Sequence, residues 1–361
     1  MIIQRRILKE LSINLLFSVS SISILLFMER FVRLTSIIMW KGTDIKDVFK
    51  VFIYLQPSIL ILSFPMALLI SIFLTYGRML ADNEIVILKN SGMNFLAISK
   101  MPILLSLFIL LIMLFLSLYL TPKGMQSFKK TLYETIARKA LMVIEKESFS
   151  RVFKDTVLYI NEIPSKGVFR GVFVYKEGSE EREWARHVVI TARDGKIISN
   201  PEEGLIKLIL HDGVIHTVSR GGVSKVSFSE YDFVLSTVID HKKRIKPSEI
   251  ETTRLWQGRR EDAEWDIEFN RRLAIPFACL IFGIIGPAAS MKMGGVGRLG
   301  GLSISLLILL LYYVVLIATE GLAKAGKIPV FMGEWIPNIA FLIIAIVLFL
   351  NSYGDKPVKR L

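Results

Sequence analysis

Along 361 residues the hydrophobic positions gather into six long runs. They are 11–34, 51–75, 102–120, 273–290, 302–319 and 335–350. Each approaches the roughly 20 apolar residues an α-helix needs to cross about 30 Å of hydrocarbon. Pro57 and Pro65 in the second run and Pro276 in the fourth predict kinks, which neighbouring helices can cover within a membrane. Between the third and fourth runs the period changes. Residues 123–146 place Phe128, Leu132, Ile136, Leu141 and Ile144 among charges at helical spacing, so a helix is expected. Short alternating runs rich in Val, Ile and Phe follow at 157–163, 169–175, 187–191, 205–210, 214–218 and 225–235. Asp194-Gly195 and Asp212-Gly213 fall between runs and are expected as hairpin turns. A charged stretch, 242–265, returns the chain to the fourth run. The expected fold is an α-helical polytopic membrane domain of six spans with an inserted all-β domain, a sandwich or jelly roll. Its parts are a membrane half at 1–121, the insert with its connecting helix at 122–270, and a second membrane half at 271–361.

Composition sharpens this picture. The chain is 52% hydrophobic with a mean hydropathy of +0.51, which excludes an ordinary soluble domain. A net charge of +13 suits anionic lipid head groups, and the basic residues lack the aromatic interleaving of a nucleic-acid surface. The single cysteine, Cys279, lies in an apolar run, which leaves no intrachain disulfide and no cysteine metal cluster. The basic start MIIQRRILKELS precedes a run without a small-residue cleavage site, so a retained first span is expected. Lys and Arg flank the spans unequally. Arg5, Arg6, Lys9, Arg78, Lys89 and Lys100 put both termini and the loop after the second span in the cytosol, with the β insert on the opposite side.

Three stretches bear on chemistry. The polar island 76–94, YGRMLADNEIVILKNSGMN, reads as a short cytosolic helix. Asp82 and Glu84 sit near its start, Ile85 opens an apolar middle, Lys89 lies near its end, and Gly92 is a left-handed stop. It is either an ordinary loop or a docking helix for a soluble partner. On the non-cytosolic side, against the usual bias, stand Arg30, Arg33 and Lys41 after the first span and Lys324 and Lys327 after the fifth. Arg30 and Arg33 share a helix face. These cations either snorkel at the interface or form a phosphate-binding rim, for which guanidinium groups are well suited. Gly295-Val296-Gly297-Arg298-Leu299-Gly300 matches a dinucleotide fingerprint but joins two spans without a βαβ unit, so a turn is expected and no cofactor. There is no GxxxxGK[ST] loop, hence no ATPase site of its own. His211 and His216 flank Asp212-Gly213 and would meet across a hairpin there, but exposed strand histidines are commoner than metal pairs, and no metal or catalytic set is expected.

Taken together, the layout of three spans, a β insert and three spans, with GRMLADNEI and SGMN after the second span, TPKGMQSF after the third, RFVRL ending the first, ETTRLW before the fourth and GRLGGLS before the fifth, resembles the LptF/LptG permeases of the lipopolysaccharide exporter. RFVRL and TRLW point to the LptF type. The resemblance implies a permease half in the bacterial inner membrane that pairs as a heterodimer with a homologous half over a cytosolic ATPase dimer. It implies a coupling helix over 82–89 within the segment 77–94, with Arg78, Asp82, Glu84, Ile85 and Lys89 as its candidate residues. The first and fifth spans would be lateral gates admitting lipopolysaccharide, and Arg30, Arg33, Lys41, Lys324 and Lys327 would meet its phosphates. The insert would be a periplasmic jelly roll that passes lipid to a bridge protein of similar fold. Two other classes stay open on the residues alone. A membrane receptor with a β sensor would need an output segment, and a lipid-modifying enzyme would need an acidic or histidine set that Glu29 and Glu320 do not supply.

Overall fold

Each of the six apolar runs is a helix, and each helix is longer than its run. The computed structural model describes residues 2–38, 45–143, 146–153, 156–165, 167–177, 187–200, 205–219, 222–235, 246–260, 262–292 and 297–354. In chain order these form α1 (Ile2–Ile38), α2 (Ile45–Ala81), α3 (Glu84–Asn90) and α4 (Phe95–Phe115). A π-helical turn (Leu116–Leu120) leads into α5 (Thr121–Val143). The strands are β1 (Phe149–Phe153), β2 (Thr156–Ser165), β3 (Val168–Glu177), β4 (His187–Asn200), β5 (Leu205–Ser219) and β6 (Gly222–Leu235). After a 3₁₀ turn (Pro247–Glu249) come α6 (Thr252–Gly258), α7 (Ala263–Lys292), α8 (Gly297–Lys324) and α9 (Val330–Gly354). Among the described residues six helical stretches are long and apolar enough to cross a membrane: Ile2–Val32, Phe49–Ala81, Phe95–Leu132, Ala263–Lys292, Leu299–Lys324 and Val330–Ser352. The chain divides into two compact units, one of Met1–Thr35, Ile53–Gln126 and Lys246–Leu361, the other of Ser36–Phe52 and Ser127–Ile245.

In the helical unit, α7 is the central element. Of the most apolar stretch of each helix, 78% of the fourth span is buried against 11% of the first. Lipid chains are as apolar as leucine, so helices in a bilayer gain from close van der Waals approach at small residues. Gly283 of α7 supplies such an approach: an added Cβ would lie 2.1 Å from Ser106 Oγ on α4. Gly286 does the same toward α2, where a Cβ would lie 2.6 Å from Ile72 Cγ2. Two apolar clusters result. One joins Ile7 and Leu11 of α1, Leu68, Ile72, Tyr76 and Met79 of α2, Ile85 of α3 and Ile98 of α4. The other joins Phe73 of α2 and Phe282 and Ile285 of α7 with Tyr312 and Leu316 of α8 and Phe341 of α9. Arg272 of α7, 4% exposed, ties the 247–252 segment to the bundle. It donates to Glu268 Oε1 (3.2 Å), Thr252 Oγ1 (2.8 Å) and the carbonyls of Pro247 (3.2 Å), Ser248 (3.3 Å) and Ile250 (2.9 Å). Thr252 in turn donates to the Leu118 carbonyl inside the π-helical turn (2.5 Å); the residue four on from Leu118 is Pro122, which has no N–H to offer that oxygen.

The insert is all β, as its alternation predicts. Its strands pair consecutively and antiparallel in one sheet, β1-β2-β3-β4-β5-β6. The expectation that Asp194-Gly195 and Asp212-Gly213 are hairpin turns is corrected. Both lie inside long strands, β4 and β5, which keep one register from Ala192↔Gly213 through Asp194↔His211 to Gly195↔Leu210. The glycines are there for a different reason. A Cβ on Gly195 would meet Val172 Cγ2 at 3.0 Å, and one on Gly213 would meet Phe228 Cζ at 2.3 Å. Glycine inside a strand marks a bend or a close approach. In β4 the buried positions switch from even (Ile190, Ala192) to odd (Gly195, Ile197) across this point. In β3 they switch the other way, from Phe169 to Val172 and Val174. The sheet therefore bends along a glycine line, and residues from both sides of it form one core with Leu158, Ile160, Leu208, Leu210 and Phe233. His211 and His216 do not meet across a hairpin. They share β5, where His211 pairs with Asp194 and Glu230 and His216 with Val189 and Lys225.

Candidate coupling site and basic rim

The segment after α2 folds as its sequence predicts, with one shift. Asn83 takes a left-handed conformation (φ 57°), so Asp82 falls in the turn before α3 and Glu84 is the helix's first residue. At the other end Gly92 has φ +89°, with Gly92 N–H donating to the Lys89 carbonyl and Met93 N–H to the Leu88 carbonyl, both at 3.1 Å. This is the left-handed stop that a C′ glycine makes possible. Asn94 then caps α4, accepting from Ala97 N–H at 2.8 Å. A seven-residue helix has little stability of its own. Ile85, 2% exposed, anchors it in the cluster with α1, α2 and α4, while Val86 (41%) and Ile87 (64%) face outward. Lys89 is partly buried in the last turn and makes no ion pair among the described residues.

Arg78 is the electrostatic centre of this end of the bundle. Its Nη1 donates to Glu84 Oε1 and to Asp82 Oδ2, each at 2.8 Å. Its Nε and Nη2 grip Glu10 of α1 in a fork, at 2.5 Å to Oε1 and 2.6 Å to Oε2. Glu84 Oε1 also accepts from Arg6 of α1 at 3.2 Å. Three carboxylates thus converge on one guanidinium that is 15% exposed at its side chain. A planar fork that keeps its charge suits such a node. Beside it lies a cavity of about 180 Å³ lined by Ile3, Arg6, Ile7 and Glu10 of α1, Arg78 and Met79 of α2, and Glu84, Ile87 and Leu88 of α3. Arg6 and Glu10 were not among the sequence candidates; no local pattern links residues 68 positions apart.

Of the five cations expected at a basic rim, Arg30, Lys324 and Lys327 have described side chains. Arg30 sits on α1 with Nη1 donating to Ser58 Oγ at 3.1 Å. Arg33 lies on the same helix, its side chain outside the described residues, and Lys41 lies outside them altogether. Lys324 closes α8 with Nζ 2.6 Å from Glu320 Oε1, one turn before it. Lys327 is exposed just beyond. None of the described contacts joins Arg30 to Lys324 or Lys327. Near Lys324 the sequence reading missed a charged group: Arg271 reaches Glu320 at 3.5 Å and also pairs with Glu268. Glu334 of α9 is fully buried, and neither carboxylate oxygen has a hydrogen-bond partner. Charges inside apolar spans were the signal for this group, since such residues default to functional candidates.

The family model of the lipopolysaccharide export system permease LptF/LptG matches residues 5–351. The chain belongs to the LptF/LptG family. The lipopolysaccharide export system permease protein LptF of Escherichia coli (strain K12) is 21% identical over 311 residues, covering 84% of this chain and 82% of that protein. The LptF of Shigella flexneri matches to the same extent. A shorter likeness, 20% over 135 residues, covers 37% of this chain and 38% of the uncharacterized protein RP871 of Rickettsia prowazekii (strain Madrid E). The chain is thus a permease of the lipopolysaccharide-export type, spanning the membrane through helices that carry an inserted β domain. The matched range takes in α3, most of α1 and the β insert.

Proposed function

We propose that this chain is one half of a lipopolysaccharide-extracting permease, worked by a separate cytosolic ATPase that docks on α3. The observation that carries this reading is the build of α3. One apolar residue, Ile85, fastens it to the bundle, while Val86 and Ile87 present 41% and 64% of their surface outward beside an acidic group, Glu84. An isolated loop gains nothing from exposing two adjacent large apolar side chains. In the chain, one span, α4, separates α3 from the β insert. With α3 cytosolic, the insert is periplasmic and both termini are cytosolic, in line with the Lys and Arg bias.

The apolar faces of α1 and α8 complete the proposal. Leu16, Phe17, Ile24 and Leu25 of α1 and Leu310, Val314 and Ile317 of α8 are all more than half exposed. A homologous second half would close these two helices around a lipid cavity, with Arg30, Arg33, Lys41, Lys324 and Lys327 at its outer rim meeting lipid phosphates. The stroke on α3 narrows the cavity and drives lipid out to the β insert and on to a bridge protein of similar fold. Lifting the lipid needs such a motor, because one acyl chain of about a dozen carbons costs on the order of 10 kcal/mol to expose to water at roughly 0.8 kcal/mol per CH₂.

The test is copurification of the full chain with its genomic neighbours, followed by lipid-stimulated ATP hydrolysis in proteoliposomes. The wild type is expected to bring down a nucleotide-binding subunit and a second permease. Val86→Asp with Ile87→Asp is expected to lose the nucleotide-binding subunit while the spans stay folded. Retention of that subunit at wild-type yield in the double variant overturns α3 as the docking site.

A further inference from the structure

The described structure ties α3 not only to the helix before it but to α1, and by charge. We propose that α1 is the element that docking on α3 drives, and that Glu10 is the positioning residue through which the drive passes. This rests on the docking reading above and adds to it the route the stroke takes.

Four side chains form the route. Glu84 opens α3; Arg78 holds it at 2.8 Å; the same guanidinium grips Glu10 of α1 through two bonds; and Arg6, one turn before Glu10, returns to Glu84 at 3.2 Å. The loop closes on itself, so α3 cannot shift along α1 without moving it or breaking charged pairs. Such pairs are the stronger class of hydrogen bond, and the fork fixes direction as well as distance. Apolar packing between α1 and α3 is incomplete: Ile7 and Ile85 share a buried cluster, but a cavity of about 180 Å³ opens beside them, with Ile3 and Ile7 on one wall and Ile87 and Leu88 on the other. The void leaves α3 room to move, and the ion pairs keep it attached while it does.

Beyond this end much of α1 faces outward. Only 11% of its most apolar stretch is buried; Ile7 and Leu11 pack against α2 near Glu10, and further along the described polar links to α2 are Asn14 to Thr75 (2.8 Å), Ser23 to Ser63 (3.0 Å) and Arg30 to Ser58 (3.1 Å). The two neutral hydrogen bonds among these are weak, as single bonds between membrane helices are, of the order of 1 kcal/mol or less. A helix rising about 1.5 Å per residue sets Arg30 roughly 30 Å from Glu10. α1 is one continuous helix from Glu10 to Arg30, so a push at Glu10 is carried along it to Arg30.

The experiment uses the full chain copurified with its second permease and ATPase, reconstituted with lipopolysaccharide in proteoliposomes. Glu10→Gln is expected to assemble at wild-type yield and keep basal ATP hydrolysis within twofold, while lipid-stimulated hydrolysis and ATP-driven lipid release fall at least tenfold. Glu10→Asp, which keeps the charge, is expected to restore at least half of the release. Release by Glu10→Gln within twofold of wild type, in a complex that contains the ATPase, overturns the proposal. A wild-type chain that binds no ATPase instead overturns the docking reading and is told apart at the purification step. Should Glu10→Gln fail to assemble, a second measurement decides. Ile3→Cys with Leu88→Cys, tied across the cavity by a short bis-maleimide, is expected to keep stimulated release within twofold because α1 and α3 travel together. Loss of release on tying them shows that α3 must part from α1, and the proposal fails.

Discussion

At the scale of single residues, burial decides which charges matter to the fold. Arg272 is 4% exposed and gives its donors to one carboxylate, one hydroxyl and three carbonyls. Removing the guanidinium would leave Glu268 and three carbonyls without that donor in a low-dielectric setting, and breaking a buried pair of this kind typically costs about 3–5 kcal/mol. Arg272→Met is therefore expected to lower the thermal unfolding midpoint in detergent and to increase proteolysis at 247–258. Arg272→Lys, which keeps charge but not the fork, is expected to fall between. An unchanged midpoint for Arg272→Met would show that the 247–252 segment is held by something else. By contrast Lys324, with 57% of its side chain exposed, gains little from its pair with Glu320, because surface ion pairs contribute roughly 0–1 kcal/mol. In the proposed permease its part is to meet a ligand rather than to add stability. The sequence revealed Arg78, Asp82 and Glu84 as candidates because they cluster within one polar island. It concealed Glu10 and Arg6, which read as ordinary flanking charges until folding brings them against Arg78.

At the scale of elements, legibility follows period. Six apolar runs became six helices, and Gly92 ended α3 with the positive φ expected of it. Helix ends were underestimated because polar turns at both ends continue the helical hydrogen-bonding; α1 begins at Ile2, not near residue 11. The strands fared differently. Asp-Gly pairs favour two-residue turns, but here tertiary packing overrode that local preference, and the glycines serve close approach within β4 and β5. Glycine in a helix says equally little by itself. Gly283 lies in an apolar run with nothing local to mark it, yet a Cβ there would lie 2.4 Å from Ser106 Cβ. Overpacking of this kind costs roughly 1–3 kcal/mol. Gly283→Ala is expected to destabilise the α4–α7 contact, seen as a lower unfolding midpoint. Ser106→Gly in the same chain is expected to recover most of that loss, and additive losses in the double variant would mean that the two positions do not share one contact.

At the scale of the molecule, one physical demand organises the parts. A lipid with several acyl chains must never leave an apolar environment, and its charged head must be held while its chains move. The exposed apolar sides of α1 and α8 answer the first need; the cations beyond them would answer the second. Arg30 tests this division. It is a partly buried guanidinium on the most weakly buried span, and its described side-chain bond is to a neutral hydroxyl, Ser58 Oγ. A guanidinium at this position has the planar fork that binds a phosphate bidentately. Replacing Arg30 and Arg33 together by Glu reverses four units of charge at the rim while leaving the helix-forming character of α1 intact. The assembled double variant is expected to keep its ATPase subunit and its basal hydrolysis, and to lose at least tenfold in crosslinking of lipopolysaccharide to α1. Dephosphorylated lipid should show a much smaller difference between wild type and variant, because the contact at issue is with phosphate. Equal loading of phosphorylated lipid by both proteins would remove the rim and leave α1 with the apolar part of the task alone.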